Sequence, residues 1–159
     1  MEDARLRSSI RIYLMKEEYT THSDAETRKL GATLAGQSTT RRVIALTGKL
    51  GAGKTVFMKG IAQGFGITKI VQSPTFVLMK TYPIEKGKFR ILVHVDCYRI
   101  EHERDMRDIG LHDYIGDTSA IVVIEWADRI PMLIPNDAMM ISFEIFDRDT
   151  RRITITTKD

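Results

Sequence analysis

Several things are scarce in this chain. It has one cysteine, Cys97, in 159 residues, so no internal disulfide can form and a reducing compartment is expected. No apolar run approaches the roughly 18 residues of a membrane-spanning helix, so no membrane partner is expected. The opening MEDARLRSSIRIYLMKEE carries early acids and no continuous apolar core, unlike a secretory signal. Aromatic residues make up 8% and the 24 Lys and Arg are scattered, leaving a net charge of +3. Neither a stacking platform nor a basic stripe for nucleic acid results. His22, His102 and His112 show no ligand spacing, so no metal site of the zinc kind is expected. What remains, 43% apolar and 28% charged, describes one soluble, cytoplasmic, globular domain over residues 1–159.

The patterning predicts alternating strands and helices. Residues 8–16, SSIRIYLMK, alternate loosely and suggest a first strand. SDAETRKLGATLAG reads as a helix, with Ser23 as N-cap and Glu26 completing a capping box. RRVIALTG is a buried strand that runs into a glycine-rich loop. Lys54 to Phe65 is a helix with Phe57, Ile61 and Phe65 on one face, stopped by Gly64 and Gly66. TFVLMKTYPIEKGKFRILVHVD predicts a hairpin turning at Glu85 to Lys88, and EHERDMRDIG a short helix ending at Gly110. AIVVIEW is a second uniformly apolar strand, and AMMISFEIF with RRITITT flank DRDT as a closing hairpin. The order implies a mostly parallel α/β sheet with antiparallel additions.

Gly48 to Thr55, GKLGAGKT, fits G-x-x-x-x-G-K-[ST] between an apolar strand and a helix. Glycines there let backbone N–H groups turn inward and form an anion nest at a helix N-terminus. In that pattern Lys54 reaches the β and γ phosphates and the Thr55 hydroxyl holds Mg²⁺. Two acids end apolar runs, Asp96 after ILVHV and Glu125 after AIVVI, at the strand ends where parallel α/β sheets bind ligands. Glu125 is favoured as the Mg²⁺-side acid because its strand is the more uniformly apolar and hence the more central. QSPTF, Gln72 to Phe76, places two hydroxyls where a switch loop could sense a γ-phosphate. His94 reads as an oriented structural residue rather than a base, and Cys97 as a small buried side chain.

GKLGAGKT, SPTF, HVDCYRI and IEWADRI, in this order and spacing, resemble the bacterial TsaE (YjeE) family of small P-loop ATPases. Those proteins are needed to make threonylcarbamoyladenosine in tRNA. The resemblance runs from the ETRKLGATLA helix to the RRITI strand, and it implies a three-layer P-loop NTPase fold. It also implies that Leu50, Gly51, Ala52, Gly53, Lys54 and Thr55 wrap the phosphates of ATP, with Thr55 and Glu125 on Mg²⁺. Asp96 would act near the γ-phosphate or its attacking water, and Ser73 and Thr75 would form the switch-like loop. Trp126 matches a family tryptophan beside the site, and Asp24, Thr27 and Arg151 match positions bordering the nucleotide. Where the family usually has Asp, this chain has Lys49.

Two functions of different class follow. One is an ATPase, weak alone and gated by TsaD-like and TsaB-like partners, touching tRNA only through that complex. The other is a small-molecule kinase with the same loop. A kinase lid is normally arginine-rich, and the corresponding turn here, PIEKGK, has no arginine pair, which favours the switch. ATP rather than GTP comes from the resemblance; no guanine-specific N/T-K-x-D pattern is present. Self-association is left open.

Overall fold

The computed structural model describes residues 14–37, 41–69 and 71–158. Its elements run β1 (Leu14–Thr21), α1 (Asp24–Gln37), β2 (Val43–Gly48), α2 (Lys54–Gly64), β3 (Met79–Pro83), β4 (Ile91–Asp96), α3 (Arg104–Asp108), α4 (Leu111–Gly116), β5 (Ala120–Glu125), β6 (Met139–Ile145) and β7 (Arg151–Lys158). The seven strands form one sheet in the order β1-β7-β6-β2-β5-β4-β3. Its four central strands, β6, β2, β5 and β4, are parallel to their neighbours within that group. The β3–β4, β6–β7 and β1–β7 pairs are antiparallel and complete the two sides.

Alternation along the central strands divides the core in two. Ile44 and Leu46 of β2, Ile121 and Val123 of β5, and Leu92 of β4 face α1 and α2. Val43 and Ala45, Val122 and Ile124, and Val93 and Val95 face α3, α4 and the segment after β5. Strands covered on both faces read as continuous apolar runs, which is why VIAL and AIVVI carry no polar residue. The expected three-layer α/β sandwich is the fold.

Several local expectations change. Residues 8–13 of the expected first strand lie outside the described residues, and the strand that is seen continues past Lys16 to Thr21. Glu26 does complete a cap, but its carboxylate accepts the His22 N–H at 2.7 Å, while its own N–H donates to Ser23 Oγ at 3.1 Å. Gly64 does not stop α2. It is the last residue of the helix and lies against α1, where a Cβ would come 2.6 Å from Ala32 O. The stop is Gly66, at φ 75°. The chain after Asp108 turns at Gly110 (φ 80°) into a further short helix, α4, that the apolar spacing did not announce.

The hairpin strand expected from Thr75 begins only at Met79. Pro74 removes a donor and its carbonyl accepts the N–H groups of Val77 (3.0 Å) and Leu78 (2.6 Å), so residues 74–78 curl into a turn. Leu78 takes φ 64°, a left-handed conformation that costs a branched side chain on the order of 1 kcal/mol.

Candidate functional site

The register places the chemistry. Leu46 of β2 and Asp96 of β4 both pair with Glu125 of β5, so the end of β2, Asp96 and Glu125 meet at one edge of the sheet. The loop after β2 climbs over that edge and enters α2. Gly51 at φ 78° and Gly53 at φ 101° take conformations that L side chains resist, and Gly53 is the N-cap of α2. A cleft of about 830 Å³ opens above them.

Lys54 is 4% exposed beneath this cleft. Its ammonium donates to the carbonyls of Gly48 (2.6 Å) and Lys49 (2.9 Å) and lies 3.9 Å from the centre of the Trp126 ring. Burial pulls its pKa below the ordinary ammonium value, opposed by the carboxylates of Glu125, Asp128 and Asp96. Trp126 is itself left-handed, at φ 58°, where the chain leaves β5 for a single tight turn. Its ring meets Tyr98 at 4.9 Å, and the Arg129 guanidinium lies 5.6 Å from both rings. The lysine is therefore roofed by Trp126, against which Tyr98 packs.

The Thr55 hydroxyl donates to Glu125 Oε2 at 2.8 Å, and His94 Nε2 meets Glu125 Oε1 at 2.7 Å. Glu125 is 2% exposed and His94 fully buried. A second carboxylate organises the loop of Ser73 and Thr75. Asp96 Oδ2 accepts the hydroxyls of Ser73 and Thr75, the latter at 2.9 Å, and the two hydroxyls contact each other at 2.8 Å. Asp96 Oδ1 accepts the Tyr98 N–H at 2.9 Å. Both of its oxygens hold protein donors, so in this state Asp96 anchors the loop.

Leu50 to Thr55, Ser73, Thr75, Asp96, Glu125, Trp126, Asp24 and Arg151 all line the cleft. Thr27 does not. It is buried behind the glycine loop, its hydroxyl 2.7 Å from that of Thr21 and its methyl 3.5 Å from where a Cβ at Gly53 would stand. Arg151 holds the loop itself, donating to Gly51 O at 3.2 Å and, from the other nitrogen, to carbonyls of its own turn, including Asp147 O at 2.9 Å. Arg99 lies over the Phe76 ring, 4.5 Å from its centre. Tyr98 and the His94–Glu125 contact were not singled out from sequence. The signal for His94 was available: it stands two residues before Asp96 on one strand, hence on the same face.

The residues suit a magnesium nucleotide. The glycine loop offers backbone N–H groups at a helix N-terminus. Thr55 and Glu125 place two hard oxygen donors side by side, short of the six that Mg²⁺ requires, which suits an ion completed by phosphate and water. Among the described residues no cluster of three or more His, Cys, Asp or Glu could hold a metal ion unaided.

A glycine loop entering a helix, with acids on neighbouring parallel strands, defines a three-layer α/β domain of the P-loop NTPase class. Comparison with known proteins makes this more particular. The family model described as threonylcarbamoyl adenosine biosynthesis protein TsaE matches residues 21–153, and the chain belongs to the TsaE family. The tRNA threonylcarbamoyladenosine biosynthesis protein TsaE of Bacillus subtilis is 37% identical over 87% of this chain and 84% of its own. That of Aquifex aeolicus is 34% identical over 89% of this chain and 97% of its own. The crystal structure of Bacillus subtilis YdiB superposes with a TM-score of 0.74 at 32% identity, covering 91% of this chain and 87% of that one.

Proposed function

We propose that the protein binds and hydrolyses Mg²⁺-ATP as an accessory to tRNA threonylcarbamoyladenosine biosynthesis, its turnover gated by a TsaB–TsaD-like pair. The observation that carries this is the juxtaposition of Lys54, Thr55 and Glu125 at the mouth of the glycine loop. Lys54, now on the carbonyls of Gly48 and Lys49, would turn toward the β and γ oxygens, with Trp126 covering that side. Thr55 would release Glu125 and offer its hydroxyl oxygen, with the Glu125 charge beside it. Thr55 and Glu125 would hold Mg²⁺, which would supply neutralisation of phosphate charge. Ser73 and Thr75, pinned to Asp96, form the loop that a partner can press against the γ-phosphate. Among the described residues no arginine is held in place at that position: Arg151 is tied to Gly51 and its own turn, Arg99 lies on Phe76, and Arg148 lines the cleft with no contact that fixes its guanidinium. A chain so equipped turns over slowly by itself.

The kinase alternative is disfavoured by topology. The PIEKGK turn joins the end of β3 to the start of β4, whereas Asp96 ends β4 at the cleft, so the turn lies at the opposite end of the sheet.

The test is ATP hydrolysis with and without the purified partner pair. The isolated chain is expected to be a poor ATPase that the complex accelerates. Lys54→Ala should abolish turnover in both, and Ser73→Ala or Thr75→Ala should blunt the acceleration more than calorimetric ATP affinity. Full-rate hydrolysis by the isolated chain, indifferent to partners and to these substitutions, refutes the gating.

A further inference from the structure

β4 has one side chain with no evident place in a core strand. Ile91, Leu92, Val93 and Val95 are apolar and Asp96 emerges at the cleft, yet His94 sits fully buried between them. Its Nδ1 has no hydrogen-bond partner and no solvent contact. A buried polar atom left unpaired costs stability, so something must be gained from the other nitrogen. Nε2 is 2.7 Å from Glu125 Oε1, on the adjacent parallel strand. Because a carboxylate only accepts, Nε2 carries the proton in this contact.

With Oε1 held by His94, the Glu125 carboxylate cannot rotate, and Oε2 is the oxygen that faces Thr55 at 2.8 Å. We infer that His94 is the positioning residue of Glu125, fixing which carboxylate oxygen is presented to a cation at Thr55. The inference rests on the reading of the cleft as a Mg²⁺-nucleotide site. His94 touches neither nucleotide nor metal; it acts through Glu125, as outer partners of metal-binding carboxylates do. An apolar residue of similar volume would fill the core equally well but leave Oε1 free to turn.

The experiment is calorimetric titration of a non-hydrolysable ATP analogue into the full chain over a MgCl₂ series, for wild type, His94→Gln and His94→Asn. The glutamine amide can place a donor where Nε2 stands, while the asparagine amide falls short of Glu125. His94→Asn is expected to raise the Mg²⁺ concentration needed for half-maximal tightening by about 10- to 100-fold. His94→Gln should restore most of that loss, and affinity in EDTA should be alike for all three. A merely structural histidine would give lowered melting temperatures in both variants with the Mg²⁺ midpoint unmoved, and that result overturns the inference. So does an equal shift in both. A wild-type chain whose binding ignores Mg²⁺ at every concentration overturns the cleft reading, and this inference with it. One measurement needs no variant: the ¹⁵N-histidine spectrum of the nucleotide-free chain should show a protected Nε2–H for His94, and a ring protonated only at Nδ1 refutes the assignment.

Discussion

Substituting Gly60 by alanine tests how the glycine loop is held in place. Gly60 is buried in the middle of α2, against the backbone of α1. A Cβ there would run into the carbonyl oxygen of Arg28 and lie 2.9 Å from its carbonyl carbon and 3.1 Å from its Cα. Carbon atoms settle at about 3.5–4.0 Å, so the helices must part by about 0.5–1 Å. The obstruction is main chain, with no rotamer to escape into, which places the cost at the upper end of overpacking, about 3 kcal/mol. Better helix propensity returns about 1 kcal/mol. The net loss of about 2 kcal/mol corresponds to a melting temperature lower by about 4–8 °C for a chain of this length. Gly36 of α1 supplies the control, because nothing lies within 4 Å of a Cβ built there. Gly36→Ala should gain up to about 1 kcal/mol and melt slightly higher. Thermal unfolding followed by circular dichroism gives both values, and calorimetry should show weaker ATP binding for Gly60→Ala, since α2 carries the loop at its N-terminus. If Gly60→Ala melts at or above wild type, in step with Gly36→Ala, the close approach of the helices is not limiting and the reasoning fails.

The two acids should separate under isosteric substitution. Glu125→Gln is expected to reduce hydrolysis by the partner complex by about 10²-fold or more, with ATP affinity changed far less, because the lost charge is felt most in the transition state. Asp96→Asn should instead act through the loop, weakening partner stimulation; rate and affinity measured side by side would show the roles reversed if Glu125→Gln proved nearly silent. Cys97 is fully buried, and burial, with the charge of Asp96, pushes its thiol up to about 12. The native chain should therefore resist a thiol reagent at pH 8 and react on unfolding. Because the folded thiol holds its proton longer than the unfolded one, its contribution to stability is complete below about pH 9 and is lost as pH rises toward 12. Denaturant midpoints measured across that window should fall more for wild type than for Cys97→Ala.

What could be read from the sequence was what local spacing carries. The eight-residue glycine pattern needs only a strand before it and a helix after, and both are written beside it. Glu125 could be favoured as the more central acid because a strand covered on both faces leaves its mark as an unbroken apolar run. Contacts made by register were beyond reach. Nothing local says that His94 meets Glu125, 31 residues on, until the two strands are known to be adjacent. The hairpin strand failed at Thr75 because TFVLMKTY has strand composition, and the competing signal, Pro74 with hydroxyls on either side, acts by tying the segment to Asp96. Gly64 was misread for a related reason. A glycine near a helix end looks the same whether it frees the backbone or lets another helix approach, and only the position of α1 decides.

The roof over Lys54 makes the protein its own indicator. Trp126 is the chain's one tryptophan, and a cationic amine at 3.9 Å is close enough to alter the emission of an indole. Intrinsic fluorescence should therefore change if a ligand draws the lysine off the ring, with no label and no second tryptophan to dilute the signal.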